Sequence, residues 1–339
     1  MAPTVPEPAS ERAGARPRIV LDCDPGHDDV IAILVAALHT DLAGITTVAG
    51  NAPLDRTTYN ACVMRDALAL DVPVHSGAAR PLTAPPRFAG FVHGESGLDG
   101  ADLPAPERGA DSTDAVAFIV DTCRASEGTW LVPTGPLTNI ALALRTAPDL
   151  AGRIAGVSLM GGGTFGNRSP MAEFNIWADP EAAAVVFGSG VPLTMAGLDV
   201  THQLVVTLER ADEVAALDSP FTTMIAGLFR FFAGNYIARH DAATGAALHD
   251  PLAVMALTHP ALLDGTDRHV TIETRGEHTT GMTVIDRRDI SDREPPNCHV
   301  LEHVDDAGAW QVVVDALRWA GERAAAVAAG AGSPPGVQP

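Results

Sequence analysis

The chain contains no lysine. All 22 of its basic residues are arginine, set against 42 acidic residues, and the formal charge is −20 over 339 residues. A surface this acidic repels phosphate backbones and anionic membranes, which argues against nucleic-acid polymers and lipid surfaces as partners and favours a neutral small molecule or a cation. Cysteine is scarce and scattered: Cys23, Cys62, Cys123 and Cys298 form no CxxC pair. That argues against a disulfide framework and a cysteine zinc site, and it fits a reducing compartment. No apolar run is long enough to span a membrane. The N-terminal stretch is rich in Pro, Ala and Glu and lacks the apolar core of a signal peptide. The expectation is a soluble, cytoplasmic protein with disordered tails at 1–16 and 327–339.

What is present is ample apolar material. Residues of that kind make up 46% of the chain and charged ones 19%, enough for a sizeable core. Short apolar runs alternate with helical patterns, as in βαβ units around a parallel sheet. Strands are expected at RPRIVLDCD, DLAGITTVAGN, VPVHSGA, GTWLVPTGP, IAGVSLMGGG and VPLTMAGLDVT, each followed by a helical or loop segment. Residues 80–110 read as a long loop, 208–247 as helical, 269–276 with 281–288 as a hairpin, and 305–326 as a closing helix. The fold class is therefore α/β, with one large domain over 17–326 and a mostly parallel central sheet flanked by helices.

Ligand sites in open α/β sheets gather at the carboxyl ends of the strands. The first strand ends in DCDPGHDD, four carboxylates in eight positions between two apolar runs. Carboxylates so close together disfavour joint ionisation unless a positive charge sits among them. A helix N-terminus accepts one or two, and Asp28 and Asp29 are placed for that. The rest call for a cation, and hard oxygen ligands favour Ca²⁺ or Mg²⁺. The plainer alternative is a set of solvated loop acids with one helix cap. Three other readings compete. A DxD after the first strand is similar to the haloacid-dehalogenase-type phosphatases, but those use a lysine that this chain lacks. GGGTFG matches a dinucleotide fingerprint, but no amphipathic helix follows it to receive a pyrophosphate. A non-catalytic nucleoside- or sugar-binding protein is the third, for which a general base beside a metal would be surplus.

The stretch DCDPGHDDVIAIL closely resembles the N-terminal signature of the inosine-uridine preferring nucleoside hydrolases. TTVAGN with TTYNA, VPVHSGAARPL, VHGESGL, VPTGPLTNIALAL, VSLMGGG, AEFNIWADPEAA and HDPLAV resemble the family's later blocks, in order, over roughly residues 18–320. The resemblance implies hydrolysis of a ribonucleoside's N-glycosidic bond to free base and ribose. Asp24, Asp29, the Thr134 carbonyl and Asp250 would hold Ca²⁺, and Asp24 would take a proton from a water held by that ion. Asp28, Asn51, Glu173 and Asn175 would hold the ribose hydroxyls, with Met160, Asn167 and Phe174 also in the substrate pocket. His249 and His93 would lie on the nucleobase side, His249 helping to protonate the base. Asp22 would support the ligands from behind. A homodimer or homotetramer is implied as well. Plainer roles are a turn for Asn51, capping by Glu173 and Asn175 of a helix beginning near Asp179, and core packing for Met160. His240 is unassigned, Tyr236, Phe231 and Phe232 are candidate base-facing rings, and nucleobase preference stays open.

Overall fold

A computed structural model describes residues 16–239 and 244–329. The first half alternates β1 (Arg18–Cys23), α1 (His27–His39), β2 (Asp41–Thr47), α2 (Leu54–Ala67) and β3 (Val74–Ser76). Then come α3 (Gly90–His93), α4 (Ala115–Ala125), β4 (Trp130–Pro133), α5 (Thr138–Thr146), β5 (Gly156–Met160), α6 (Phe174–Ala178), α7 (Pro180–Phe187) and β6 (Leu193–Ala196). The second half contains α8 (Leu198–Thr201), β7 (Val205–Thr207), α9 (Leu208–Ala215), α10 (Pro220–Arg239), β8 (Gly245–Ala247) and α11 (Pro251–Thr258). It closes with β9 (Leu263–Arg268), β10 (Val270–Ile272), β11 (Thr283–Ile285), β12 (Cys298–Val304) and α12 (Asp306–Ala328).

Eight strands form one sheet in the order β3-β2-β1-β4-β5-β6-β12-β9. All neighbours run parallel except β12 and β9. Strand β1 shows why the sheet is buried on both faces. Ile19, Leu21 and Cys23 join one apolar cluster, with α1, α10, α11 and α12, while Val20 joins the other, with α4, α5 and α7. That is the period of two expected of a strand covered on both sides. Helix α1 is apolar nearly all round, and its residues 27–36 are buried because α11 and α12 cover what the sheet does not. The strand order turns back at β1, since the chain moves outward to β3 and then returns to β4 on the other side. A crevice opens at such a reversal beyond the carboxyl ends of the strands.

Several expectations shift. Residues 263–268 and 298–304 supply two further strands of the main sheet that the sequence pattern does not signal. The segment 208–247 is two helices followed by β8, which pairs antiparallel with β7. The long 80–110 loop contains α3. The 270–285 hairpin is present. The closing helix reaches Ala328, so the C-terminal boundary lies beyond 326. Residues 1–15 and 330–339, the bulk of the two expected tails, and His240 lie outside the described residues. No described helix is long and apolar enough to cross a membrane.

Candidate active site

The loop after β1 carries Asp24 to the floor of the crevice, and the first turn of α1 carries Asp28 and Asp29. Asp29 sits there because its Oδ2 accepts from the Gly26 N–H at 2.9 Å, the one half of a capping box that a glycine N-cap allows. Its Oδ1 accepts from Thr134 Oγ1, after β4, at 2.8 Å. Asp250 immediately precedes Pro251, the first residue of α11. Carboxylate oxygens of Asp28, Asp29 and Asp250 all fall within 4.8 Å of one another. The three residues are buried, as is Asp24 beside them.

Two carboxylate oxygens of this nest, Asp24 Oδ1 and Asp28 Oδ1, are buried with no hydrogen-bond partner. Among the described residues no arginine pairs with any of the four acids. Burial, and then the charge of Asp29, holds Asp24 well above the usual carboxylate range. Burial with Asp28, Asp29 and Asp24 does the same to Asp250. Asp28 is pushed up to about 7 by burial and then by Asp29. A pocket of hard oxygens with this much unbalanced charge takes up either protons or a divalent cation. The donor set fits such an ion.

Asp22 lies behind the nest, on the opposite face of β1 from Leu21. Its Oδ1 accepts from Thr46 Oγ1 at 2.6 Å and from Asn139 Nδ2 at 2.8 Å. Burial pushes it to about 7. It touches β2 and α5, tying the strand end in place.

Above the floor is a cavity of about 410 Å³. Asp28, Thr134 and Asp250 line it, and so do all the other residues expected to contact substrate: Asn51, His93, Met160, Asn167, Glu173, Phe174, Asn175 and His249. Asn51 is more than a turn residue. Its backbone N–H donates to Asp24 Oδ2 at 2.6 Å, and its Nδ2 donates to Asp29 Oδ2 and to the Asp24 carbonyl, each at 3.1 Å. Only its side-chain oxygen remains for a ligand.

Glu173 does cap a helix, but that helix is α6 and not the one near Asp179, which Asp179 itself caps. Its carboxylate accepts from the N–H groups of Gly162, Asn175 and Ile176 at 3.0, 2.8 and 3.1 Å. Burial raises its pKa against those donors. Asn175 Nδ2 donates to the Thr134 carbonyl at 2.7 Å and lies 3.4 Å from Met160 Sδ. Asn167 Oδ1 accepts from the Phe174 N–H at 3.0 Å, leaving its NH₂ group for the cavity. One end of the cavity is thus floored by carboxylates and walled by amides, a surface for neutral hydroxyl groups.

The other end is built of rings. His93, Phe232, Tyr236 and His249 line it. His93 and Phe232 stack with His27, at centroid distances of 5.3 and 5.1 Å. His27 Nε2 meets the Asp99 carbonyl at 2.8 Å, so it carries the proton. His249 Nδ1 lies 2.7 Å from Thr201 Oγ1, and its Nε2 lies 3.3 Å from the Tyr236 hydroxyl. Burial depresses its pKa to about 3, so the ring is neutral at physiological pH. Phe231 stacks on His27 from behind and does not line the cavity. Not foreseen from the sequence are Arg168, His202, Asn235 and Arg239, which also line it. Three of the four flank residues that were singled out, but only the folded chain brings them to the cavity.

Residues 19–311 match the family model described as inosine-uridine preferring nucleoside hydrolase. The chain is 45% identical over 304 residues to the pyrimidine-specific ribonucleoside hydrolase RihA of Shewanella sp. (strain MR-7), covering 88% of this chain and 95% of that protein. It is 42% identical over 306 residues to the protein of the same name from Escherichia coli (strain SMS-3-5 / SECEC), covering 89% and 98%. Among solved structures, the purine-preferring ribonucleoside hydrolase from Gardnerella vaginalis matches with a TM-score of 0.84 at 32% identity, over 91% of this chain and 99% of that one. The plant nucleoside hydrolase PpNRh1 matches with a TM-score of 0.83 at 28% identity, over 89% and 99%.

Proposed function

Since the chain belongs to the inosine-uridine preferring nucleoside hydrolase family and is a nucleoside hydrolase, we propose that it cleaves pyrimidine ribonucleosides to free base and ribose with Ca²⁺ in the carboxylate nest. The observation that carries this reading is the orphaned, buried oxygen of Asp28, which lines a cavity with one amide-lined and one ring-lined end, together with that of its buried neighbour Asp24. The choice of pyrimidines rests on the names of relatives at 42–45% identity, whereas the structures named for purine or plant enzymes are more distant.

Asp24, Asp29, Asp250 and the Thr134 carbonyl would hold the ion, with Asp28 close enough to share it. A bound divalent ion balances the acids and makes water a better nucleophile at neutral pH. Asp24 is the base in this reading, its Oδ1 free of any protein donor. Asp28, Asn51 Oδ1, Asn167, Glu173 and Asn175 orient the ribose hydroxyls, while Met160 and Phe174 close the sugar's apolar sides. As the glycosidic bond stretches, positive charge develops on the sugar, and the surrounding carboxylates stabilise it. The ring-lined end takes the base. There His249, with Thr201 and Tyr236 fixing its orientation, offers a hydrogen bond to the departing nitrogen heterocycle, with His93 across the pocket.

The test is sugar release from uridine, cytidine, inosine, adenosine and guanosine, run before and after chelation with EDTA and after restoring Ca²⁺. Cleavage confined to uridine and cytidine, lost on chelation and regained with Ca²⁺, is the expected result. Full activity after rigorous chelation would overturn the ion's role. Faster cleavage of inosine or guanosine would overturn the pyrimidine preference.

A further inference from the structure

Helix α10 presents Phe232, Asn235, Tyr236 and Arg239 to the cavity, the i, i+3, i+4, i+7 stripe of one helical face. Asn235 is the one neutral amide in that stripe, and its orientation is fixed. Its Nδ2 donates to the Val92 carbonyl, in α3, at 3.1 Å. A carbonyl only accepts, so the amide must turn its nitrogen to Val92 and its Oδ1 the other way. No described residue donates to that Oδ1, and it is not among the buried, unpartnered atoms. Asn235 therefore bridges the two walls of the ring-lined end, with one Nδ2 hydrogen held by Val92 and its Oδ1 left as a fixed acceptor at the cavity that Phe232 and His93 also line.

We propose that Asn235 reads the leaving base, its Oδ1 accepting a hydrogen bond from the N3–H of uracil. This rests on the reading of the ring-lined end as the base pocket, and it goes on to divide the pyrimidines. Uracil presents a donor at N3, whereas cytosine presents a lone pair there, so the two nearly isosteric bases meet the same oxygen with opposite outcomes. A site built around a hydrogen bond rejects the analogue that leaves it unmade more strongly than an apolar pocket rejects a misfit. The acceptor favours uridine over cytidine by about tenfold or more on this account.

The experiment measures kcat/KM for uridine and cytidine with the full-length, Ca²⁺-supplied enzyme and with Asn235→Leu and Asn235→Asp. Asn235→Leu removes the acceptor at a half-exposed helical position, and the uridine-to-cytidine ratio should collapse toward one. Asn235→Asp keeps an oxygen acceptor and should keep the ratio, even if the lost bond to Val92 lowers both rates. A residue that only ties the two walls together would lower both rates in the Leu variant and leave the ratio unchanged, which would overturn the assignment. So would wild-type enzyme that cleaves cytidine as fast as uridine. If the wild type cleaves no ribonucleoside, the functional reading fails first and takes this assignment with it.

Discussion

An alanine Cβ at Gly135 would lie 2.5 Å from Asp24 Oδ1, and one at Gly50 would lie 2.1 Å from Asp24 Oδ2. Two loops, one after β4 and one after β2, thus close on the same carboxylate, and only the absence of a side chain lets them do so. Gly135→Ala should push Asp24 aside by a fraction of an ångström to an ångström. A displacement of that size at a reacting group costs about a hundredfold in rate, so kcat/KM for the best nucleoside should fall by about that factor. Gly152→Ala, where nothing lies within 4 Å of the new atom, is the control and should match wild type. Equal activity of the two variants would show that Asp24 tolerates displacement. Asp24→Asn tests the proposed base: it preserves shape but removes the charge, and kcat should fall about a thousandfold or more. In the same variant the chelated protein should melt higher than chelated wild type, because one of four crowded, buried acids is gone. A lower melting temperature would mean that Asp24 is held by structure and not strained by its neighbours.

At the scale of elements, the long 80–110 loop is held in part by one residue of α2. Arg65 is fully buried, with Nη1 donating to the Gly109 carbonyl at 3.0 Å and Nη2 to the Arg108 carbonyl at 2.5 Å. Its Nε pairs with Asp66 at 2.7 Å, and Asp66 Oδ2 in turn accepts from the N–H groups of Glu107 and Arg108. Arg65→Met keeps the aliphatic stem but strands those carbonyls, and should destabilise the fold by about 3 kcal/mol in urea unfolding. A loss within error of zero would show the staple to be redundant. None of this is visible in a segment that reads from sequence only as a long loop. The same limit explains the two unforeseen strands. β9, LDGTDR, is a half-exposed edge whose polar residues read as a turn, and β12, CHVLEHV, mixes histidine and glutamate into its apolar run. Their strand character comes from pairing with each other and with β6, a long-range fact. The central strands and α1 were legible because burial on both faces writes a continuous apolar run. The site acids were legible because they follow those strands directly. Gly50, Gly135 and Asn235 were not, since their roles depend on which distant atom approaches them.

For the whole molecule, the acid nest couples folding to pH and, on the proposed reading, to a metal ion. Burial pushes Asp22 and Asp28 up to about 7 from an ordinary 3.8, and Asp24 and Asp250 are likewise held well above the usual carboxylate range. A carboxyl whose pKa is raised on folding is no burden when both states are protonated, below about pH 4. It becomes destabilising as pH rises and the unfolded chain ionises first, reaching on the order of 4 kcal/mol for Asp28 by pH 7. Buried histidines work the other way. His27, pushed down to about 4, and His249, pushed down to about 3, cost stability as pH falls below the ordinary imidazole value. In the metal-free protein the two effects oppose each other between pH 4 and 6.5, so its melting temperature alone is a poor readout. The difference between Ca²⁺-loaded and chelated protein removes the histidine contribution, because His27 is common to both states and His249 offers its ring to no ion in this arrangement. On the proposed reading calcium would displace protons from the nest, so its stabilisation should grow with pH across the window in which the nest ionises. The melting-temperature gap between loaded and chelated protein should be small at pH 5 and widen steadily to pH 8. A gap that is constant or narrows over that range would mean that the ion does not sit among Asp24, Asp28, Asp29 and Asp250.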